Sequence, residues 1–229
     1  MAAVKLLLAK GADIRAVFVM QSMAEAEWYR NICTVCEDAH IEFVPVRLLS
    51  TQKEIWDKIR QTGAKFGFSV LYTQIFPQHV INVLSKGLVN FHPSLLPTYR
   101  GPHPVNWAII NGETRTGVTA HFVAPGVDTG PIITQTALPI YQNDTIHTLM
   151  DGIEQEILQQ VEHVYDLLHN RGLTGIPQDE TNASYYPKRS PEDGKIDWAT
   201  MTARQIYNMC RALLPPLYGA FFNFQGRHV

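Results

Sequence analysis

The chain has 229 residues, 45% of them hydrophobic and 17% charged, with a formal net charge of -2. That balance fits a soluble globular protein with one large domain, or one domain plus a small appendage. It excludes a bilayer-spanning helix, since no apolar run is long enough, and a nucleic-acid-coating surface, which needs clustered Lys and Arg.

The first element is a helix, Ala2 to Lys10, closed by Gly11. Its apolar run is short and broken by Lys5, so it does not read as a signal peptide. Asp13 to Met20 reads as a strand, Ala24 to Asp38 as a helix, Ile41 to Val46 as a strand and Gln52 to Gly63 as a helix. Phe66 to Tyr72 is a third strand, Pro77 to Lys86 a helix, and Leu88 to His92 a fourth strand. Apolar strands alternating with helices imply a parallel sheet covered on both faces. A doubly wound domain normally begins with a strand, and that first strand is missing here.

Two of the three cysteines, Cys33 and Cys36, form a C-x-x-C inside the second helix. No further Cys/His pair stands at zinc spacing, so no metal site is expected. The low, odd cysteine count, completed by Cys210, fits a reducing compartment and hence the cytoplasm.

After His92 the rhythm changes. Pro104 to Asn111 is a short helix with proline at its first position. Thr116 to Val123 and Pro131 to Ile140 are strands joined by the glycine-bearing loop A-P-G-V-D-T-G. Thr145 to about Asn170 is a long helix, with Ile146, Leu149, Ile153, Ile157 and Val161 at helical spacing. Leu173 to Asp193 is rich in Pro, Gly, Asn, Ser and Tyr and reads as a linker. Thr202 to Leu213 is the last helix, followed by a strand-like Gly219 to Phe224. Residues 1–172 are thus expected to form the catalytic domain, and 173–229 a linker and C-terminal extension too short to fold alone.

Chemistry concentrates in three places. Asn90 and His92 alternate on one strand and point the same way, at the strand end where open α/β sheets bind ligands. Asp128 lies in the loop between the later strands. Tyr99-Arg100-Gly101-Pro102-His103 is a polar turn. A neutral imidazole accepts a proton near pH 7. A carboxylate on its other nitrogen fixes its tautomer and raises its basicity. An asparagine amide can donate to a developing oxyanion, a contribution of roughly 3 kcal/mol. No G-x-S-x-G is present and Ser94 is not placed as a nucleophile, so the attacking group comes from the substrate. That describes acyl transfer to an amine, or hydrolysis by water.

N-F-H-P-S-L-L-P-x-Y-R-G, followed by G-x-T-x-H-F-V-x-x-G-V-D-T-G-P-I-I, resembles the folate-dependent formyltransferase family from about Asp13 to the C-terminus. The resemblance implies a Rossmann-like sheet with a C-terminal extension, and N10-formyltetrahydrofolate as cofactor. It implies Asn90, His92 and Asp128 as catalytic trio. Asn90 and protonated His92 would stabilise the oxyanion, and His92, oriented by Asp128, would move protons. The pterin slot would lie between Leu71–Phe76 and Ala124–Asp128, with Tyr72, Gln74, Ile75, Phe76, Ala124 and Val127 as cofactor contacts.

The tail Y-Y-P-K-R-x-P-E-D-G-x-I-D-W is similar to methionyl-tRNA and sugar-nucleotide members and unlike the glycinamide ribonucleotide type. No basic insertion follows Met20, and no room remains for the barrel that helps bind tRNA. The segment Y-R-G-x-x-P-V-N-W-A-I-I-N-G most resembles enzymes acting on UDP-linked 4-amino-4-deoxy-arabinose. The expected substrate is therefore a nucleotide-linked amino sugar, with no nucleic-acid or membrane partner and a homodimer left open. Ser94, Arg100, Gly101, His103, Lys188, Arg189, Asn208 and Arg211 are the candidate substrate contacts, the cations for a diphosphate. Tyr185, Tyr186 or Trp198 would stack on the base. The alternatives are a methionyl-tRNA formyltransferase, a formyltetrahydrofolate hydrolase, or a weakly active ligand-binding fragment.

Overall fold

The computed structural model describes residues 1–21, 27–215, 218–225 and 227–228. Its elements run α1 (Ala2–Ala9), β1 (Ala16–Met20), α2 (Glu27–Asp38), β2 (Glu42–Val46), α3 (Lys53–Gln61), β3 (Gly67–Val70), α4 (Gln78–Ile81) and β4 (Leu88–His92). They continue with α5 (Pro104–Ile110), β5 (Arg115–Phe122), β6 (Ile132–Pro139), α6 (Ile146–Asn170), α7 (Ala203–Ala212), β7 (Asn223–Phe224) and β8 (Arg227–His228). This is the expected α/β arrangement of sheets flanked by helices. The start of the expected second helix, Ala24 to Ala26, lies outside the described residues.

The chain divides into two compact units, neither contiguous in sequence. The first holds residues 1–91, 120–134 and 158–176. Its core follows from periodicity. Ile55 and Ile59, four apart on α3, bury one helical face against Val44, Val46, Leu49 and Val80, with Phe18, Tyr72 and Phe76 packed around them. Each such aliphatic side chain contributes about 1.5–3 kcal/mol when fully buried. Glu54 in the first turn of α3 and Lys58 and Arg60 in the last complement its dipole. Cys36 is buried in a second cluster with Val19, Ile32 and Ile41. Lys10, at the end of α1, donates to Glu162 and Asp166 on α6.

The sheet is not continuous. β1 pairs in parallel with β2, Ala16 opposite Glu42. Separately, β3 and β4 pair in parallel, Gly67 opposite Leu88, within the order β3-β4-β5-β6. The chain opens on a helix, and no described strand bridges β1 and β3. A side-chain contact links their C-terminal ends, from the Thr73 hydroxyl to the Met20 sulfur at 3.2 Å. The helix expected over 77–86 closes after Ile81, because Val83 and Leu84 donate to the carbonyls three residues back rather than four.

The second unit holds residues 92–119, 135–157 and 177–229. Here α5 packs on α7, burying Val105, Ala108, Ile109, Met209 and Ala212. The Asn106 amide donates to the Ala212 carbonyl at 2.7 Å. A capping box opens α7, with Thr202 and Gln205 exchanging side-chain bonds to each other's backbone N–H. The expected linker is extended but tied down. Tyr185 bridges to Arg100, and one turn of tight helix forms at Glu180–Asn182 and another at Pro191–Gly194. The expected final strand shrinks to Asn223–Phe224, paired with Arg227–His228, while Phe221 bridges separately to Lys195.

Candidate functional site

In the first unit, the start of the site is Ser69 on β3. Its hydroxyl donates to Asn90 Oδ1 at 2.8 Å, and this fixes which way the amide faces. Asn90 Nδ2 then meets Nε2 of His121 at 3.3 Å. His121 is 2% exposed, and its Nδ1 lies 2.8 Å from the Phe122 carbonyl. A carbonyl only accepts, so Nδ1 carries the hydrogen and Nε2 offers its lone pair to Asn90. Asp128 Oδ1 stands 3.6 Å from the same Nε2, with its side chain 15% exposed. The chain of contacts runs Ser69, Asn90, His121, Asp128, along three strands and a loop.

Local sequence explains the loop. Gly130 is forced, because a Cβ there would sit 1.7 Å from the Phe122 carbonyl oxygen. Thr129 donates to the Pro125 carbonyl at 2.8 Å and closes the turn. Asp128 itself adopts the left-handed region, at φ 54, which Asp tolerates better than most residues.

His121 was not among the expected site residues. The signal was present: it lies inside the quoted G-x-T-x-H-F-V motif, on an alternating strand seven residues before Asp128. Neighbouring Thr119, His121 and Phe122 all read equally as core, and only the Asn90 contact separates them.

The expected cofactor residues divide. Tyr72 and Phe76 pack inward with their rings 5.3 Å apart. The Tyr72 hydroxyl is buried without a hydrogen-bond partner, and burial pushes its pKa up to about 12. Ile75 points the other way and is 70% exposed. Gln74 is committed to the backbone: its Oε1 accepts from Leu49 N at 2.6 Å and its Nε2 donates to the Arg47 carbonyl at 3.0 Å. Ala124 and Val127 are half-buried in the Asp128 loop.

In the second unit, His92 is 5% exposed, and its Nε2 lies 2.9 Å from the Tyr99 carbonyl. Ser94 is buried and donates to the Thr98 carbonyl at 2.8 Å, so it shapes the Pro93–Pro97 turn. Gly101, at φ +98, permits a close approach, since a Cβ would lie 2.4 Å from the Tyr186 carbonyl oxygen.

Arg100, Asn208 and Arg211 are not open side chains. Arg100 is 6% exposed. Its guanidinium grips Glu180 with two bonds, at 2.9 and 2.7 Å, and Gln178 with two more. Arg211 donates to Asn208 Oδ1 at 3.0 Å and to the carbonyls of Tyr141 and Asp144, fastening the turn before α6 to α7. Truncating Arg100 to alanine is expected to lower the melting temperature, because the buried guanidinium's bonds to Glu180 and Gln178 are lost. Arg100→Lys should lose less but still measurably, since lysine cannot make the forked contact. Thermal melts compare the two; equal melting temperatures for wild type and alanine would remove this role.

His103, Lys188 and Arg189 form a different group. His103 is half-buried, at φ 58. Burial, and then the Lys188 and Arg189 charges, hold its pKa below the usual 6.5. Arg189 lies over the Trp107 ring, 4.8 Å from its centroid, and donates to the Asp193 carbonyl. Tyr186 stacks on Tyr99 at 4.6 Å and tilts against Trp107 at 5.2 Å. Tyr185 and Trp198 are exposed, the latter edge-on to Phe222.

Among the described residues, no helix is long and apolar enough to cross a membrane, and no group of three or more His, Cys, Asp or Glu is placed to hold a metal.

The family model described as "Formyl transferase" matches residues 18–162, and its companion "Formyl transferase, C-terminal domain" matches residues 188–229. Among solved structures, a 4-N formyltransferase from Francisella tularensis superposes with a TM-score of 0.81 at 21% identity, over 100% of this chain and 90% of that one. A methionyl-tRNA formyltransferase from Clostridium thermocellum gives 0.69 at 20% identity, over 93% and 88%. A sugar 3N-formyl transferase, solved in the presence of dTDP and 5-N-formyl-THF, gives 0.71 at 24% identity, over 92% and 74%. At these identities the superpositions establish the fold.

Proposed function

Since the chain belongs to the formyl transferase family, we propose that it moves a formyl group from N10-formyltetrahydrofolate to the amine of a nucleotide-linked amino sugar. The observation that carries this reading is the Ser69–Asn90–His121–Asp128 chain, which aims an amide at a position where an acyl oxygen would gain charge. Asn90 Nδ2 has two N–H groups. One meets His121; the other has no partner among the described residues and suits an oxyanion.

The residues present fit a folate. The exposed Ile75 offers an apolar face to a flat ring, and the Tyr72 hydroxyl, buried on the inward side without a hydrogen-bond partner, is a separate donor that a bound group could satisfy. Tyr72, Ile75, Phe76, Ala124 and Val127 would hold the cofactor, with Gln74 pinning the loop to residues 47–49. The folate would supply an activated formyl carbon. Asn90 would donate to the oxygen on that carbon, and His92 would take the proton that the attacking amine loses and return one to the departing nitrogen. Asp128, 3.6 Å from His121 Nε2, closes the contact chain that holds the Asn90 amide in place. Residues 1–172 serve as the catalytic domain and 173–229 as the extension.

The sugar-nucleotide reading rests on His103, Lys188 and Arg189, a cationic group beside the Tyr99–Tyr186–Trp107 aromatic stack. It is supported by the relative solved in the presence of dTDP. Arg100, Asn208 and Arg211 hold the surrounding turns, with Ser94 and Gly101 shaping the backbone. The three thiols, among them the exposed Cys210, are free, which supports a cytoplasmic setting.

Turnover of UDP- or dTDP-linked amino sugars with N10-formyltetrahydrofolate, followed by folate absorbance, tests the reading. Turnover with methionyl-tRNA alone would overturn the sugar assignment. Lys188→Ala combined with Arg189→Ala is expected to raise the sugar-nucleotide KM at least tenfold with little change in kcat. The pH dependence has a fixed sign. His103 is depressed below 6.5 in the free protein, and a diphosphate favours its charged form. Affinity should therefore rise as pH falls toward and below that value, and His103→Gln should flatten the trend.

A further inference from the structure

His92 ends β4, and the chain behind it turns through Pro93–Pro97. Resting on the reading of His92 as proton carrier, we propose that Thr119 on β5 and Gln135 on β6 are positioning residues for formyl transfer. Together their side chains clamp the turn that follows His92.

The clamp follows from counting donors and acceptors. Thr119 is fully buried, and its hydroxyl has one hydrogen and two lone pairs. The hydrogen goes to the Ser94 carbonyl at 2.7 Å. The lone pairs accept from the Leu96 N–H at 3.2 Å and from Gln135 Nε2 at 2.8 Å. The carbonyl cannot donate and the two nitrogens cannot accept, so the direction of every bond is fixed. Gln135 Nε2 places its second hydrogen on the Leu96 carbonyl at 2.9 Å; flipping that amide would set its oxygen against another carbonyl. Three main-chain groups of the turn, the Ser94 carbonyl and both polar groups of Leu96, thus rest on two side chains. Ser94 and Leu96 are themselves buried, where a main-chain group left unpaired is costly.

A threonine inside a strand often only packs, or bonds its own backbone. Here its whole hydrogen-bonding capacity goes to the turn and to the glutamine that shares it. The strand is shaped for the turn at a second place. Gly117 stands two residues before Thr119 and on the same face. A Cβ at Gly117 would lie 2.1 Å from the Thr136 carbonyl oxygen and 2.6 Å from Leu95 Cδ2, so β5 receives the turn closely at both positions. Ser94 is the link to the reacting group. Its N–H donates to the His92 carbonyl at 2.9 Å, its hydroxyl donates to the Thr98 carbonyl at 2.8 Å, and its own carbonyl is the one Thr119 holds. Releasing the Thr119 end frees Ser94, and with it the main chain at His92. A displacement of about 1 Å at a reacting group costs roughly 10²-fold in rate.

The test separates position from stability. Thr119→Val is close in shape and removes the hydroxyl, whereas Thr119→Ser keeps it. Gln135 is exposed on β6, so Gln135→Ala leaves the buried core untouched. The expected kcat is at least tenfold lower in Thr119→Val and at least threefold lower in Gln135→Ala, with the KM values for folate and acceptor within twofold of wild type. Thr119→Ser should recover kcat to within threefold of wild type. Hydrogen exchange at the Leu96 amide reads the clamp without turnover; it should quicken at least tenfold in Thr119→Val and stay slow in Thr119→Ser. A folded Thr119→Val protein with kcat within tenfold of wild type overturns the proposal, as does a loss in Thr119→Val that the serine variant shares. Where the valine variant does not fold, Gln135→Ala decides alone, and kcat within threefold of wild type overturns the role. A Leu96 amide that exchanges no faster in Thr119→Val removes the clamp whatever the acceptor. If methionyl-tRNA and not an amino-sugar nucleotide is formylated, the same ratios are read with that acceptor, so the sugar assignment and the clamp fail separately.

Discussion

His92→Ala is expected to lower kcat by about 10²–10⁴-fold, the range that positioned proton transfer contributes, while the protein still binds folate. The proposed folate contacts lie on residues 72–76 and 124–127, none of which the substitution alters. A structural cost accompanies the catalytic one. His92 is buried and its Nε2 satisfies the Tyr99 carbonyl, so alanine leaves a small cavity and an orphaned acceptor, together about 1–3 kcal/mol. His92→Gln separates the two effects. Its amide can still donate toward Tyr99 but cannot take up a proton near neutrality, so stability should recover and turnover should not. The measurement is single-turnover formyl transfer beside a folate titration and a melt. Turnover within threefold of wild type in the glutamine variant would end the proton-carrier role.

How much of this could be read from the chain differs by feature. The strand that carries Asn90 and His92 was legible to the residue, Leu88–His92, because a short apolar run bounded by Gly87 and Pro93 has few alternatives. Gly11, Gly101 and Gly130 marked turns that the backbone then required. The length of α4 was not legible, since Pro77 to Lys86 carries a helical pattern that three-residue hydrogen bonding cuts short. The division into two interleaved units was not legible either, because it depends on contacts between residues far apart in sequence.

The site splits in the same way. Residue type identified Asn90, His92 and Asp128 as chemically capable groups. What it could not give was partnership. The expectation was a carboxylate on the catalytic histidine fixing its tautomer. Alongside that expectation, the contacts add His121 Nε2 near Asp128 and a main-chain carbonyl at His92 Nε2. A carbonyl carries no side-chain signature, so no sequence pattern announces it. Arg100 and Arg211 illustrate the converse. Both look like phosphate ligands by type, yet both are buried, with Arg100 bonded to Glu180 and Gln178 and Arg211 to Asn208 and two carbonyls.

Asn90→Ala is expected to be nearly as damaging as the loss of His92, for a different reason. Removing one oxyanion donor costs about 10²–10³ in kcat. Here the amide also joins Ser69 to His121, so alanine strands a buried hydroxyl and a buried ring nitrogen, at roughly 1–3 kcal/mol of stability. Asn90→Asp distinguishes the contributions. The introduced carboxylate keeps the Ser69 bond but places an anion beside His121 Nε2, where Asp128 already stands. It has no N–H for an oxyanion, so kcat should fall as far as in the alanine variant. If Asn90→Ala instead keeps kcat within tenfold of wild type, the amide is only a spacer between Ser69 and His121, and the oxyanion must find its donor elsewhere.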